Sequence, residues 1–451
     1  MILTFHGGAK SVTGANYLLE TKNARILVDC GLTQGSRYCE QQNFQPFPYD
    51  PKGIQAVFIS HAHIDHIGRL PMLYKQGFRG EIYSSPPTKD MAEFLLLDSE
   101  HILGKEAERE GERPPYTASD VLELMKLWKK RRYHEHVQIG DIDVELFDAG
   151  HVLGSTSYRM SAEGKKIVFS GDLGNIDAPL IKESEYISET DYALVESVYG
   201  GRIHEDISLR ETKLREIIIE TIRANGVLMI PAFALERTQQ LLFKLNEFIE
   251  GGQIPRVPVY VDSPLAIKLT AIYQKYSRDP MYFNNDAIEL IRGGDAIFDF
   301  PGLHLTLTTE QSKQINDARS PKIIIAGAGM SNGGRILHHE RRYLSDPAST
   351  ILFIGYQAQG SLGRIILDGA EDARIMGEDV SIRCKIREIA GYSAHADQNQ
   401  LTRWVSAMKT SVKKIFVTQG EEEEAKALAT RLGKELSVQA EIPEPGEVVE
   451  L

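Results

Sequence analysis

The sequence predicts an α/β protein in which one domain, built on a parallel sheet, is inserted into another, and three observations predict it. The chain has 451 residues, more than one hydrophobic core usually serves, so two domains or one domain with a large insertion are expected. Up to about residue 206 it reads as strand-length apolar runs broken by turns. From 207 to about 374 it alternates helix-length segments with continuous apolar strands, the pattern of βαβ units whose sheet is buried on both faces.

Taken in order, the first part predicts strands at ARILVDCG (24–31), QAVFISHA (55–62), EIYSS (81–85), DVELFDAG (143–150), KIVFSGD (166–172) and YALVES (192–197), each running into polar or glycine residues at its end. Between them, 88–110 and 119–132 carry helical spacing with many charges and are read as solvated helices against a sheet. The middle part predicts the strands GVLMIPAFA, VPVYVDSP, PKIIIAGAG and STILFIGYQ. From 375 to 451 short strands return in DVSIRCKIREI and KKIFVTQGE, followed by an acidic helix and tail. No repeat, low-complexity tract or Pro/Gly/Ser-rich linker intervenes. The expected organisation is 1–206 and 375–451 as one domain, with 207–374 inserted.

Apolar residues make up 42% of the chain and charged residues 25%, which excludes a disordered or fibrous protein. The opening MILTFHGGAKSVTG has no basic start followed by an apolar run, and no stretch approaches the ~18 apolar residues that cross a bilayer. Cys30, Cys39 and Cys384 cannot all pair and show no CxxC spacing, against both a disulfide framework and a thiolate zinc site. A reducing, cytoplasmic location is expected. The formal charge of −12 excludes a surface that is basic throughout, so a nucleic-acid site would be a local patch.

The chemistry concentrates in SHAHIDHIG, which sets His61, His63, Asp65 and His66 within six residues of one another after the apolar run QAVFI. Imidazole and carboxylate are ligands of borderline and hard divalent ions, and alternate residues leaving a strand point the same way. His61 and His63 can thus reach one ion while Asp65 and His66 reach a neighbour. His151 in DAGHVLGS and Asp172 in FSGDLG follow other strands, and the two oxygens of Asp172 suit a bridge between ions. Imidazoles crowded this closely repel when protonated, a cost that a metal removes. His6, His101, His134, His136, His304 and His338 are read as structural.

HAHIDH, with the preceding LVDCG, the later GHVLGS and SGD, resembles the metallo-β-lactamase superfamily. The resemblance implies a four-layer αββα sandwich with a two-zinc site at its edge, and Asp29 as an orienting carboxylate. The blocks ESVYGGRIH, IPAFALERTQQ, VDSPLA, GAGMSNGGRILHH, GYQAQGSLGR and GYSAHAD resemble, in order, the β-CASP branch, whose members include messenger-RNA 3′-end nucleases and their bacterial and archaeal relatives. That implies a β-CASP domain over 207–374, single-stranded RNA as substrate, entry of the RNA between this domain and the metal site, and a homodimer.

Carried over by motif, Glu196 is the branch's first signature acid and His395 of SAHAD its second signature residue, so Asp65, Glu196, His395 and Asp29 form the candidate catalytic set. Glu196 can hold the imidazole in one tautomer while His395 protonates a departing 3′ oxygen. At the third signature position, where RNA-cleaving relatives carry a zinc-ligating histidine, this chain has Gln419 in FVTQGEEE. An amide oxygen is a weaker ligand than imidazole, which implies a second ion held loosely, replaced by another kind or absent from the isolated protein. DNA-processing relatives also differ from the RNA group here.

GAGMSNGG is not a dinucleotide fingerprint, because GxGxxG would need glycine at Asn332 and no acidic residue ends the next strand. It reads as an anion site at a helix N-terminus, with Ser331, Gly333, Gly334 and Arg335 gripping a phosphate and Arg237 and Arg364 as further contacts. The expected function is hydrolysis of RNA by metal-activated water, leaving 5′-phosphate and 3′-hydroxyl ends. Two other classes compete with it. A small-molecule, thioester-type hydrolase leaves the insertion unexplained, and a noncatalytic RNA-binding scaffold is expected to have lost metal ligands.

Overall fold

The computed structural model describes residues 1–34, 41–176, 178–389 and 392–451. Cys39 and the glycine of GYSAHAD, Gly391, lie outside them. The chain forms two compact units, Met1–Ile203 with Ala394–Leu451, and His204–Ser393. The expected insertion, 207–374, falls inside the second.

The first unit is a sandwich of two seven-stranded sheets. One holds β1 (Ile2–Gly7), β2 (Asn16–Glu20), β3 (Arg25–Val28), β4 (Ala56–Phe58), β5 (Glu81–Ser84) and β6 (Trp128–Lys130), with β22 (Val448–Glu450) beside β1. The other runs β7 (His136–Ile139), β8 (Ile142–Asp148), β9 (Thr156–Ala162), β10 (Lys165–Phe169), β11 (Tyr192–Glu196), β20 (Lys414–Thr418) and β21 (Ala440–Glu441). The sheets meet through aromatic rings: Phe5 lies 5.3 Å from Phe416, Phe58 5.5 Å from Tyr158 and Tyr17 6.2 Å from Phe169. The Tyr158 hydroxyl donates to the Ile59 carbonyl at 2.6 Å, so a buried phenol crosses the interface without losing its hydrogen bond.

Helices cover the outer faces. Pro86–Glu110 and Ala118–Lys126 pack near β5 and β6, while Gln398–Ser406 and Glu422–Leu436 cover the second sheet, where Leu401, Trp404, Leu428 and Leu432 bury against Val168, Val195 and Ile415. The capping box of Thr117 and Asp120 explains where the second helix starts. It ends at Lys126, short of the expected 132. Trp128 leaves the helix to donate its indole N–H to Ser84 Oγ at 2.8 Å, and 128–130 adds an edge strand to β5.

The second unit carries a six-stranded sheet, parallel in every pairing, with order β14 (Leu303–Leu305), β13 (Val259–Asp262), β15 (Lys322–Ala326), β12 (Val227–Pro231), β16 (Thr350–Phe353) and β19 (Lys385–Glu388). β12, β15 and β16 are buried along their whole length, as continuous apolar runs in a doubly covered sheet should be. The segment DVSIRCKIREI divides: β18 (Glu378–Ser381) makes a hairpin with β17 (Asp372–Ile375), and β19 joins the parallel sheet. Cys30 and Cys384 are buried free thiols. Among the described residues no helix is long and apolar enough to cross a membrane.

Candidate metal centre

The site residues follow the carboxyl ends of strands from both sheets of the first unit. Asp29 follows β3, His61 to His66 follow β4, His151 follows β8, Asp172 follows β10, Glu196 ends β11 and Gln419 follows β20. The backbone is fastened first: the Asp65 carbonyl accepts from Ala15 N–H at 3.0 Å, the His66 carbonyl from Cys30 N–H at 2.8 Å, and His66 N–H donates to His63 at 2.9 Å. The fit leaves no room for a side chain at Gly31, where a Cβ would fall 1.5 Å from the Asp65 carbonyl oxygen.

Asp29 sits at φ 59°, a region that non-glycine residues seldom adopt, at a point where three donors converge on its carboxylate. Oδ1 accepts Ser60 N–H at 2.8 Å, and Oδ2 accepts the Ser60 hydroxyl at 2.7 Å and His66 Nδ1–H at 2.8 Å. A carboxylate on Nδ1 fixes the tautomer that presents Nε2 to a metal. Ser60 Oγ also lies 3.1 Å from His61 Nδ1, so one hydroxyl steadies two ligand rings.

Two groups of donor atoms share Asp172. In the first, His61 Nε2 lies 2.9 Å from His63 Nδ1, His63 Nδ1 3.3 Å from His151 Nε2, and Asp172 Oδ2 3.5 and 3.6 Å from His61 and His151. Four donors each ~2.0–2.1 Å from a tetrahedral zinc stand roughly 3.3 Å apart, so this set fits such an ion. In the second, His66 Nε2 lies 3.3 Å from Asp172 Oδ1 and 3.7 Å from Asp65 Oδ2. Gln419 completes the corner, with Nε2 2.7 Å from Asp172 Oδ1 and 3.1 Å from His66 Nε2.

The electrostatics suit a cation. Burial and the neighbouring His66 drive His61 well below the usual imidazole range, keeping a lone pair for a metal. Burial opposes charge on Asp172, yet His66 and His61 hold it well below the usual carboxylate range. Burial likewise works against protonation of His66, but Asp172, Asp29 and Asp65 draw it well above its ordinary value, the negative surroundings that a bound cation would meet.

Beside the metal pocket stands the other predicted pair. The loops 173–175 and 394–396 are zipped together by Asn175 N–H to the Ala394 carbonyl and Ala396 N–H to the Leu173 carbonyl, both 2.8 Å. This brings His395 Nδ1 to 3.2 Å from Glu196 Oε1 and 3.9 Å from Asp172 Oδ2. Glu196 is fully buried, and its Oε1 also accepts Leu173 N–H at 2.7 Å. Burial raises the Glu196 carboxyl and His395 works against the rise.

The residues expected to hold phosphate belong to the second unit. Gly333 and Gly334 lie in the loop after β15, with Gly334 at φ 72°. Ser331 is buried and donates its hydroxyl to Glu340. The Arg335 guanidinium turns onto Asp262 Oδ1 at 2.8 Å and the carbonyls of Thr306 and Leu307 at 2.9 and 3.1 Å. Arg364 is exposed beside Asp368 at 2.9 Å, on a helix whose Leu362 N–H is accepted by Asn332 Oδ1, and half-buried Arg237 faces Gln240. Sequence reasoning missed Ser60, signalled only by its place before the first histidine, and the buried Asp262–His339 pair at 2.8 Å. His134, His136 and His304 have structural partners in Glu185, Asp143 and Tyr260.

Family models match three stretches: a metallo-beta-lactamase superfamily domain over 18–193, a Beta-Casp domain over 238–366, and a Zn-dependent metallo-hydrolase RNA specificity domain over 379–443. Ribonuclease TTHA0252 of Thermus thermophilus is 35% identical, covering 96% of each chain. The transcription termination factor FttA of Methanosarcina mazei is 32% identical over 97% of this chain and 69% of its own. An RNase J-like protein of Methanocaldococcus jannaschii is 30% identical over 100% and 99%. A solved protein of unknown function from Enterococcus faecalis shares the fold at 15% identity, with a TM-score of 0.56 over 100% of this chain and 99% of its own. A donor cluster shaped for divalent ions, in a chain so similar to these relatives along nearly its whole length, belongs to the metallo-β-lactamase superfamily, in the branch that carries the Beta-Casp domain.

Proposed function

We propose that the protein is a zinc-dependent ribonuclease that hydrolyses phosphodiester bonds of single-stranded RNA in the cytoplasm, leaving 5′-phosphate and 3′-hydroxyl ends. The observation that carries this reading is the Glu196–His395 pair, 3.2 Å apart, with His395 Nδ1 3.9 Å from the same Asp172 that joins the two donor groups. A hydrolase needing only a metal-activated water has no use for a second, carboxylate-oriented imidazole at the edge of its metal pocket. A phosphodiesterase has, because its leaving oxygen must be protonated. The ribonuclease relative and the RNA specificity domain match over 379–443 support the choice of RNA.

His61, His63, His151 and Asp172 would hold one ion, and Asp65, His66 and Asp172 a second. Bound there, divalent ions supply Lewis-acid stabilisation of charge on the phosphoryl oxygens and acidify water. The chain's own residues do the rest. Asp29 and Ser60 hold the rings of His61 and His66 in place. Glu196 accepts from His395 Nδ1, so the other nitrogen, Nε2, carries the proton to the departing 3′ oxygen. The imidazolium that precedes this transfer is stabilised by the buried carboxylate. Retention of every His/Asp position of the set except 419 also separates this chain from a binding scaffold.

The test is incubation of metal-analysed protein with RNA and DNA of matched sequence labelled at either end, beside an Asp65→Ala/His66→Ala double variant. Cleavage of RNA by the parent alone, with 5′-phosphorylated products, is expected. Intact RNA despite bound metal would sink the proposal.

A further inference from the structure

The two donor groups around Asp172 are unequal, and the inequality comes from Gln419. Its side chain is 2% exposed and takes one corner of the second group, with Nε2 2.7 Å from Asp172 Oδ1 and 3.1 Å from His66 Nε2. Those two atoms are themselves 3.3 Å apart, so the three corners have the spacing of ligands around one ion. Yet an amide nitrogen has no lone pair for a metal. It presents hydrogens, aimed at the same carboxylate oxygen that an ion would bind. The opposite orientation would press the amide oxygen against Asp172, acceptor on acceptor.

The main chain holds the group there. Gln419 N–H donates to the Gly8 carbonyl at 2.6 Å, its own carbonyl accepts Ser197 N–H at 3.2 Å, and its φ is 45°. The side chain lies against the backbone at Gly8, where a Cβ would come within 3.3 Å of Gln419 Cγ. The first group has three imidazoles and a carboxylate. The second has one imidazole, two carboxylates and a group that ligates only after turning over, and then only as a neutral amide.

Building on the metal-centre reading above, we propose that the Gln419 amide is a resident substitute for the second cation. The protein keeps one divalent ion tightly, on His61, His63, His151 and Asp172. The second position accepts a divalent cation only when the amide rotates, and so exchanges it readily.

The test uses the full chain, stripped of metal, reloaded with zinc and dialysed against zinc-free buffer, with metal and protein then measured together by mass spectrometry. One zinc per chain is expected, with a second binding step in a titration weaker by on the order of tenfold or more. Gln419→His should retain two. In Gln419→Leu, the metal-free protein should melt at a lower temperature than the parent, because Asp172 Oδ1 loses the nearer of its two partners, while the second zinc binds no more weakly than in the parent. If the parent retains two ions, or if Gln419→Leu weakens the second step, the amide is an ordinary ligand and the inference fails while the hydrolase reading stands. If the parent retains none, the metal-centre reading fails first. Should Gln419→His not fold, the leucine arm decides alone.

Discussion

Replacing Glu340 by glutamine should stabilise the second unit at neutral and alkaline pH. Glu340 lies on the helix Ile336–Tyr343, is fully buried, and has one partner, the Ser331 hydroxyl on Oε1; Oε2 has no hydrogen-bond partner among the described residues. Burial pushes its carboxyl up from 4.5 to about 7, with Ser331 pulling the other way. The folded state therefore keeps a proton that the unfolded chain releases near pH 4.5. Stability is fully present below that pH and is lost as pH rises through about 7. At about 1.4 kcal/mol per pH unit, the loss reaches about 3 kcal/mol. Glutamine keeps the oxygen that Ser331 donates to and carries no charge, so the variant should match the parent near pH 4.5 and exceed it by about 3 kcal/mol at pH 8. Two units need not melt together, so the assay must be local. Hydrogen exchange of peptides covering β15 and the 336–343 helix, followed against urea at each pH, reads the right unit. Equal slopes with pH for both proteins would refute a neutral buried carboxyl, as would a variant less stable at pH 8.

Two further substitutions probe the first unit. Glu196→Gln preserves size but removes the charge that stabilises the His395 imidazolium, so single-turnover RNA cleavage should slow by about 10²–10⁴-fold with metal content unchanged; an unaltered rate would remove Glu196 from the mechanism. Gly31→Ala places a Cβ 1.5 Å from the Asp65 carbonyl oxygen and should cost the first unit about 3 kcal/mol or more, read as a lower melting temperature together with weaker zinc retention.

How far the sequence could be read depended on how local each signal was. HxHxDH is legible because its four ligand residues lie within six positions and need only strand alternation to converge. The buried runs of β12, β15 and β16 were legible for the same reason. β14 was not: Leu303–Leu305 is short, partly exposed and weakly apolar, and becomes a strand only because a neighbouring edge offers it partners, while Lys385–Glu388 lies in the predicted strand segment DVSIRCKIREI but owes its place in the parallel sheet to pairing with β16. The helix expected to reach 132 failed to do so because Ser84, more than forty residues away, offers Trp128 a hydrogen bond. The phosphate loop shows the same limit. That Arg335 would be drawn to Asp262, across 73 positions, depends on a distant partner that no motif encodes. The Glu196–His395 pair spans 199 positions and was found through the resemblance, not through spacing.

The first unit is made of two separated stretches of chain, and this imposes a timetable. β11 pairs in parallel with β20, from Tyr192 opposite Lys414 to Glu196 opposite Thr418, and nearly the whole second unit is encoded between them. A ribosome adding about 5–20 residues per second needs roughly 10–40 s to pass from one strand to the other. During that interval β11 is an unpaired parallel edge, open to wrong partners. Glu196 has no histidine beside it, and Asp172 has no Gln419. A nascent chain can thus assemble the three-imidazole group early, but the Glu196–His395 pair forms only after the inserted unit has been made. On the proposed mechanism, catalytic competence waits until synthesis is nearly over, and any product truncated before residue 395 lacks it.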